Sequence, residues 1–253
     1  MKIALISLGC PKNQVDADVM AHALLEAGHT TVAAVQEADC VLINTCGFID
    51  SAKSEAIQNI LELAELKKEG KLGKLLVTGC LSQRYQDELM EELPEVDGVM
   101  GTGSYTEIVP ALEELMAGGT PHRFGDIDHT EEDGARIPST PSYTAYLKIA
   151  EGCDHRCAFC IIPKLRGRYR SRTMESLLAE AKALADAGVK ELIVIAQDAF
   201  SEVPMDPELR RYVKESGRVN QLLAKEADVV VEVKFGLPLV LKGSELLSEV
   251  ERR

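Results

Sequence analysis

Three cysteines, Cys153, Cys157 and Cys160, fall within the nine-residue stretch Gly152-Cys153-Asp154-His155-Arg156-Cys157-Ala158-Phe159-Cys160. This C-x3-C-x2-C spacing follows a β-like run from Tyr143 to Ala150, so one loop at a strand end carries all three thiols. Three thiolates from one loop can ligate three irons of a cubane cluster and leave the fourth iron without a protein ligand. An open metal position is where a substrate or cofactor coordinates, as at a catalytic zinc. Two other readings stand beside this one, a zinc knuckle and buried structural thiols. Zinc needs a fourth ligand, and His155 lies inside the same tight loop, poorly placed to supply it.

The remaining cysteines gain meaning from the rhythm of the chain. Apolar strands are expected over 2–8, 31–35, 40–44, 74–77 and 98–100, and helices over 15–27, 49–68, 83–92 and 106–116. Alternation of this kind predicts a doubly wound, mostly parallel α/β sheet for residues 1–117. Cys10, Cys46 and Cys80 each lie one to three residues past a strand's C-terminal end, each beside a glycine. In open α/β sheets those ends line one crevice, where ligands bind. Three thiols spaced 36 and 34 residues apart are thereby expected at one sheet edge, the geometry of a second three-cysteine cluster site. Cys40 has no adjacent glycine, lies within a strand, and reads as a small core residue.

Residues 118–141 are rich in Gly, Pro, Thr, Asp and Glu, lack periodicity, and read as a linker in which His122 and His129 are exposed. Residues 142–200 follow, with a helix from Thr173 to Ala187 and a strand from Glu191 to Ala196 that ends in Gln197-Asp198. Strand, cysteine loop, helix and strand open a parallel β/α barrel, whose sites sit at strand C-termini. Gln197 and Asp198 are therefore cofactor-pocket candidates, with a hydrogen-bonded turn as the alternative. The run Lys164-Leu165-Arg166-Gly167-Arg168-Tyr169-Arg170-Ser171-Arg172 alternates five cations with other residues. Extended, it places them on one face, either a solvated edge or a contact for a carboxylate or an RNA phosphate. Residues 201–253 form a divergent tail, with a helix expected over 207–225 and a strand over 229–233.

Composition removes several classes. An odd count of seven cysteines argues against a disulfide framework and for metal ligation or thiol chemistry in a reducing compartment. A net charge of −13 argues against nucleic-acid binding over the whole surface. No apolar run approaches membrane-spanning length, and the segment between Lys2 and Lys12 lacks a small-residue cleavage site. A cytoplasmic protein without membrane association is expected.

The stretches Ser7-Leu8-Gly9-Cys10-Pro11-Lys12-Asn13, Asn44-Thr45-Cys46-Gly47-Phe48, Thr78-Gly79-Cys80-Leu81 and Leu147-Lys148-Ile149-Ala150-Glu151-Gly152-Cys153 together resemble the radical S-adenosylmethionine (radical SAM) methylthiotransferases. The run Cys160 to Arg172 looks like the RimO branch, which modifies a ribosomal protein, and differs from the sister branch acting on tRNA adenosine. The resemblance covers Met1 to about Asp198. It implies a partial radical SAM β/α barrel after the N-terminal sheet and two 4Fe–4S clusters, one on Cys153, Cys157 and Cys160 and an auxiliary one on Cys10, Cys46 and Cys80. It also implies reductive cleavage of S-adenosyl-L-methionine at the first cluster. The implied reaction is methylthiolation of the β-carbon of an aspartate in ribosomal protein twelve of the small subunit, with an electron-donor protein and possible ribosomal RNA contact through Lys164 to Arg172. Residues 203–243 resemble instead the C-terminal tail of adenosylcobinamide kinases, although the chain has no G-x4-G-K-[ST] phosphate loop. With only the opening strands of the barrel present, an iron–sulfur protein without catalysis and the tRNA-modifying activity stand as alternative functions.

Overall fold

A computed structural model describes residues 1–128, 135–155, 157–158, 160–196, 225, 230–234 and 237–242. The N-terminal part runs β1 (Lys2–Ser7), α1 (Pro11–Glu26), β2 (Thr30–Val32), β3 (Cys40–Thr45), α2 (Asp50–Lys68), β4 (Lys74–Gly79), α3 (Cys80–Glu92), β5 (Gly98–Met100), α4 (Ile108–Met116) and β6 (His122–Arg123). All six strands are parallel, in the order β2-β1-β3-β4-β5-β6.

The period-two pattern of the strands builds a core on each face. Val41, Ile43, Leu75 and Val77 face one side, against Ala56, Ile60 and Leu63 of α2 and Leu81 and Leu89 of α3. Cys40, Leu42 and Leu76 face the other, against Ala17, Met20 and Leu24 of α1 and Ile108, Leu112 and Leu115 of α4. Helices α1, α2 and α4 meet these faces with residues three, four and seven apart, the spacing of a helical stripe. Each fully buried Leu or Ile contributes about 1.5–3 kcal/mol. Cys40 is fully buried and its thiol is pushed up to about 12 by burial. It is a core side chain, as its position inside a strand suggested. The sheet extends one strand further than expected: β6 lies in the stretch read as a linker, and His122 on it pairs with Asp87 at 2.7 Å and packs on Phe124.

The second part contains β7 (Thr144–Lys148), β8 (Ala150–Glu151), α5 (Ile162–Arg166), β9 (Arg170–Ser171), α6 (Met174–Asp186) and β10 (Glu191–Ile195). β7 and β10 pair in parallel, with α6 between them in sequence, the βαβ opening of a barrel. Thr173 caps α6 through its side chain, which accepts from the Ser176 N–H. Leu147, Ile149, Ala150 and Leu177 form its small core. In the tail, β11 (Val230–Lys234) pairs antiparallel with β12 (Leu237–Lys242). The expected helix over 207–225 lies outside the described residues except Lys225, as does most of the kinase-like stretch. Among the described residues no helix is long and apolar enough to cross a membrane.

The two parts are tied by buried ion pairs. Arg136 bonds Asp18 of α1 at 3.2 Å and Glu180 of α6 at 2.6 Å, and the Ser139 N–H donates to Asp18 at 3.1 Å. The segment before β7 thus clamps α1 to α6.

Candidate functional site

Cys10 is the N-cap of α1, Cys80 is the first residue of α3, and Cys46 follows β3 directly. Pro11 opens α1 at a position where a missing N–H costs nothing. Cys10 and Cys80 thereby sit at the positive ends of two helices, where negatively charged groups are favoured. The loops approach closely. Gly9 has φ +94°, and a Cβ there would stand 2.6 Å from the Cys46 Cβ, so only glycine lets the first cysteine loop pass the second.

Asn13 holds the three loops together. Its Nδ2 donates to the carbonyls of Leu8 and Thr45, both at 3.0 Å, while Asn44 Nδ2 donates to its backbone oxygen at 2.7 Å. Its Oδ1 is left facing the sulfurs, 4.0 Å from Cys10 Sγ and 3.7 Å from Cys80 Sγ. Cys46 and Cys80 are buried, whereas Cys10 is exposed. Burial pushes the Cys80 thiol up, against a downward pull from Arg166. Among the described residues no three His, Cys, Asp or Glu side chains are arranged to hold a single metal ion. A tetrahedral ion with bonds of about 2.3 Å needs its sulfurs within roughly 4 Å of each other. Cys10 and Cys80 stand at helix N-termini beside the Asn13 amide, and thiols are the donors that an iron–sulfur group takes.

The second triad lies on the loop after β8. Cys153 is buried, Cys160 half-buried and Cys157 exposed, and the Cys160 N–H donates to the Cys157 carbonyl at 3.0 Å. Burial pushes the Cys153 thiol up, opposed by the His155 N–H and reinforced by Cys160 and Cys157 nearby. The Cys153 N–H donates to the Gly167 carbonyl at 3.0 Å, anchoring this loop to the end of α5.

Between the triads runs a buried network that sequence reasoning missed. Lys12 Nζ lies 3.0 Å from Glu151 Oε1 and donates to the Ala150 carbonyl at 2.7 Å. Lys148 meets Asp16 at 2.8 Å and Glu151 at 3.6 Å. Arg166 meets Asp16 at 2.5 Å and Glu151 at 3.3 Å, donates to Asn13 Oδ1, and brings Nε to 3.3 Å from Cys80 Sγ. Although burial alone would raise it, the Glu151 carboxyl is held far below the usual range by Arg166, Lys148 and Lys12. The only signal in the sequence was proximity: Lys12 lies two residues after Cys10, and Glu151 two before Cys153.

The cation run departs from its expected form. Residues Ile162–Arg166 are helical, not extended, so the five cations share no single face. Arg166 is buried, and Arg172 pairs with Glu180 and donates to Ser176 Oγ at 2.7 Å. Lys164 and Arg168 are exposed, Arg170 partly so, and Arg168 lies 3.4 Å from Asp154. Gln197, Asp198 and His129 lie outside the described residues. A cleft of about 730 Å³ between residues 135–144 and α6 contains none of the cysteines.

Residues 2–101 match the family described as Uncharacterized protein family UPF0004, and residues 147–235 match the Radical SAM superfamily. The second match continues past Asp198, further than the sequence motifs alone reached. Among solved structures, the radical S-adenosylmethionine methyltransferase TsrM from Kitasatospora setae matches with a TM-score of 0.55 at 13% identity, over 87% of this chain and 52% of that one. The cobalamin-dependent S-adenosylmethionine radical enzyme OxsB matches with a TM-score of 0.50 at 12% identity, over 90% of this chain and 38% of that one. At these identities the likeness concerns the fold alone, an α/β sheet followed by the start of a radical SAM barrel.

Among curated proteins, the ribosomal protein uS12 methylthiotransferase RimO of Clostridioides difficile (strain 630) is 55% identical over 199 residues, 78% of this chain and 45% of that protein. Its counterpart in Geobacter sulfurreducens is 46% identical over 226 residues, 87% of this chain and 51% of that protein. Over most of its length the chain is thus similar to RimO-type radical SAM methylthiotransferases. It spans about half the length of the curated relatives it matches.

Proposed function

We propose that this chain is the cluster-bearing part of a cytoplasmic radical SAM methylthiotransferase acting on ribosomal protein uS12, the activity named for its relatives. The observation that carries the reading is two three-cysteine sites joined by one buried charge network in a chain 46–55% identical to those proteins. Cys153, Cys157 and Cys160 would hold a 4Fe–4S cluster together with S-adenosyl-L-methionine, and Cys10, Cys46 and Cys80 an auxiliary 4Fe–4S cluster. When bound, these groups supply radical chemistry able to activate a C–H bond, which side chains do not.

The chain's own residues do the holding. Asn13 fixes the three auxiliary loops in register, and Lys12 and Arg166 reach across to the other half of the site. The open flank beside Cys157 is where cofactor and target aspartate would enter. Gln197 and Asp198, which follow β10 in the sequence, are proposed to line the cofactor pocket. An electron-donor protein is the implied source of reducing equivalents. Of the cation run, Lys164, Arg168 and Arg170 remain to meet a ribosomal RNA phosphate, because Arg166 and Arg172 turn inward.

The test is iron and sulfide content after anaerobic reconstitution, with electron-resonance spectra before and after S-adenosyl-L-methionine. About eight irons per chain, the sum of two four-iron clusters, and a spectrum perturbed by the cofactor are expected. Bound zinc without sulfide would overturn the proposal.

A further inference from the structure

Arg166 was grouped by sequence with the surface cations, but its side chain is only 7% exposed and every nitrogen is engaged. Nη1 meets Asp16 Oδ2 at 2.5 Å and Glu151 Oε2 at 3.3 Å, Nη2 donates to Asn13 Oδ1, and Nε points at Cys80 Sγ from 3.3 Å. Arg166 ends α5, which follows the Cys153–Cys160 loop, whereas its partners Asn13 and Asp16 lie in α1 and Cys80 opens α3 of the N-terminal part. The fork is therefore aimed across the boundary between the parts, onto one sulfur of the first triad.

A guanidinium is an uncommon choice for such a place. Burying it costs several kcal/mol unless the pairing is very good, and well-packed apolar residues often do as well for stability. Here both carboxylates are bound, leaving one N–H for a sulfur. Hydrogen bonds to cluster sulfurs and charge are two of the levers by which a protein sets an iron–sulfur reduction potential. Residues that touch a ligand without being one tune the metal they surround.

Resting on the auxiliary-cluster reading above, we propose that Arg166 is a positioning residue that raises the reduction potential of the cluster on Cys10, Cys46 and Cys80 through its charge and its N–H···S contact with Cys80. The added electron increases the cluster's negative charge, which a fixed adjacent cation stabilises, and the N–H···S bond strengthens as charge builds on sulfur. Because the same guanidinium is held by Glu151, two residues before Cys153, the auxiliary potential depends on docking of the radical SAM half. Arg is required over Lys because a single ammonium cannot span two carboxylates, an amide oxygen and a sulfur at fixed angles.

The experiment is a potentiometric titration, followed by electron resonance, of the full chain carrying Cys153→Ala, Cys157→Ala and Cys160→Ala, so that only the auxiliary cluster is present. In that background Arg166→Gln is expected to shift the midpoint to more negative potential and Arg166→Lys to shift it less. Asp16→Asn, which removes a negative charge bound to the guanidinium, is expected to shift it the opposite way. Should Arg166→Gln fail to retain iron, the opposite shifts of Arg166→Lys and Asp16→Asn still decide the matter. An unchanged midpoint in the variants that keep four irons overturns the role of Arg166. No iron in the triple-alanine background would instead overturn the auxiliary-cluster assignment itself.

Discussion

Lys12 Nζ and Glu151 Oε1 stand 3.0 Å apart, joining the residue two after Cys10 to the residue two before Cys153. The pair is largely shielded from water, with side chains 12% and 10% exposed. Glu151 also serves Lys148 and Arg166, so neutralising it leaves three buried cations short of a partner. Removing one partner of a buried pair costs about 3–5 kcal/mol. Glu151→Gln should lower the unfolding free energy from urea denaturation by an amount in this range, while Lys12→Ala, which leaves Glu151 two cations, should cost less. Equal costs would mean that the network is not shared as described.

Gly79 shows how tightly the auxiliary loops are built. Its φ of +97° suits glycine, and a Cβ would lie 2.3 Å from Asn44 Oδ1 and 2.5 Å from the Thr45 carbonyl. Strain of this kind costs about 1–3 kcal/mol and displaces the neighbouring Cys80. Gly79→Ala should lower iron bound at the auxiliary site under limiting iron without altering the Cys153 triad. Full iron content in the variant would contradict the close approach.

Single cysteine replacements separate the two proposed clusters. Cys46→Ala should reduce reconstituted iron from about eight to about four per chain and leave the response to S-adenosyl-L-methionine intact. Cys157→Ala should also leave about four irons but abolish cofactor cleavage, read as loss of deoxyadenosine release. Persistent cleavage in Cys157→Ala would refute the radical assignment of that triad.

Acid sensitivity has a source far from the cysteines. Burial alone raises the Asp97 carboxyl, but hydrogen bonds from Lys67, the Leu75 N–H and Lys74 outweigh it and hold the group below its usual value of 3.8. A depressed folded-state value means this stabilisation is complete above about pH 4 and lost as pH falls through the depressed value. Asp97→Asn should cost about 1–2 kcal/mol near neutral pH, a gap that narrows below pH 4 in denaturant titrations. A gap independent of pH would show that the carboxylate charge is not what matters.

Much of the architecture was legible because it follows from short-range chemistry. Apolar residues at spacings of two and of three to four marked the strands and helices to within a few residues, and cysteine–glycine pairs at strand ends marked the three loops that meet around Asn13. Boundaries slipped where local cues were weak: α1 begins at Pro11 and α3 at Cys80, both earlier than periodicity indicated, because a helix start is set by capping geometry rather than by its apolar stripe. β6 was hidden in a polar stretch, since two residues carry no readable alternation.

The sequence alone determined the spacing of both cysteine triads, the α/β rhythm and the family resemblance, because each is written in residues near one another along the chain. Only the tertiary structure decided which charges face water and which face the site. Arg166 and Arg168 are two residues apart, yet one is buried against Asp16, Glu151 and Cys80 while the other is exposed. Their fates differ because the partners of Arg166 lie as many as 153 residues away, and only packing of the two halves brings such groups within hydrogen-bonding distance.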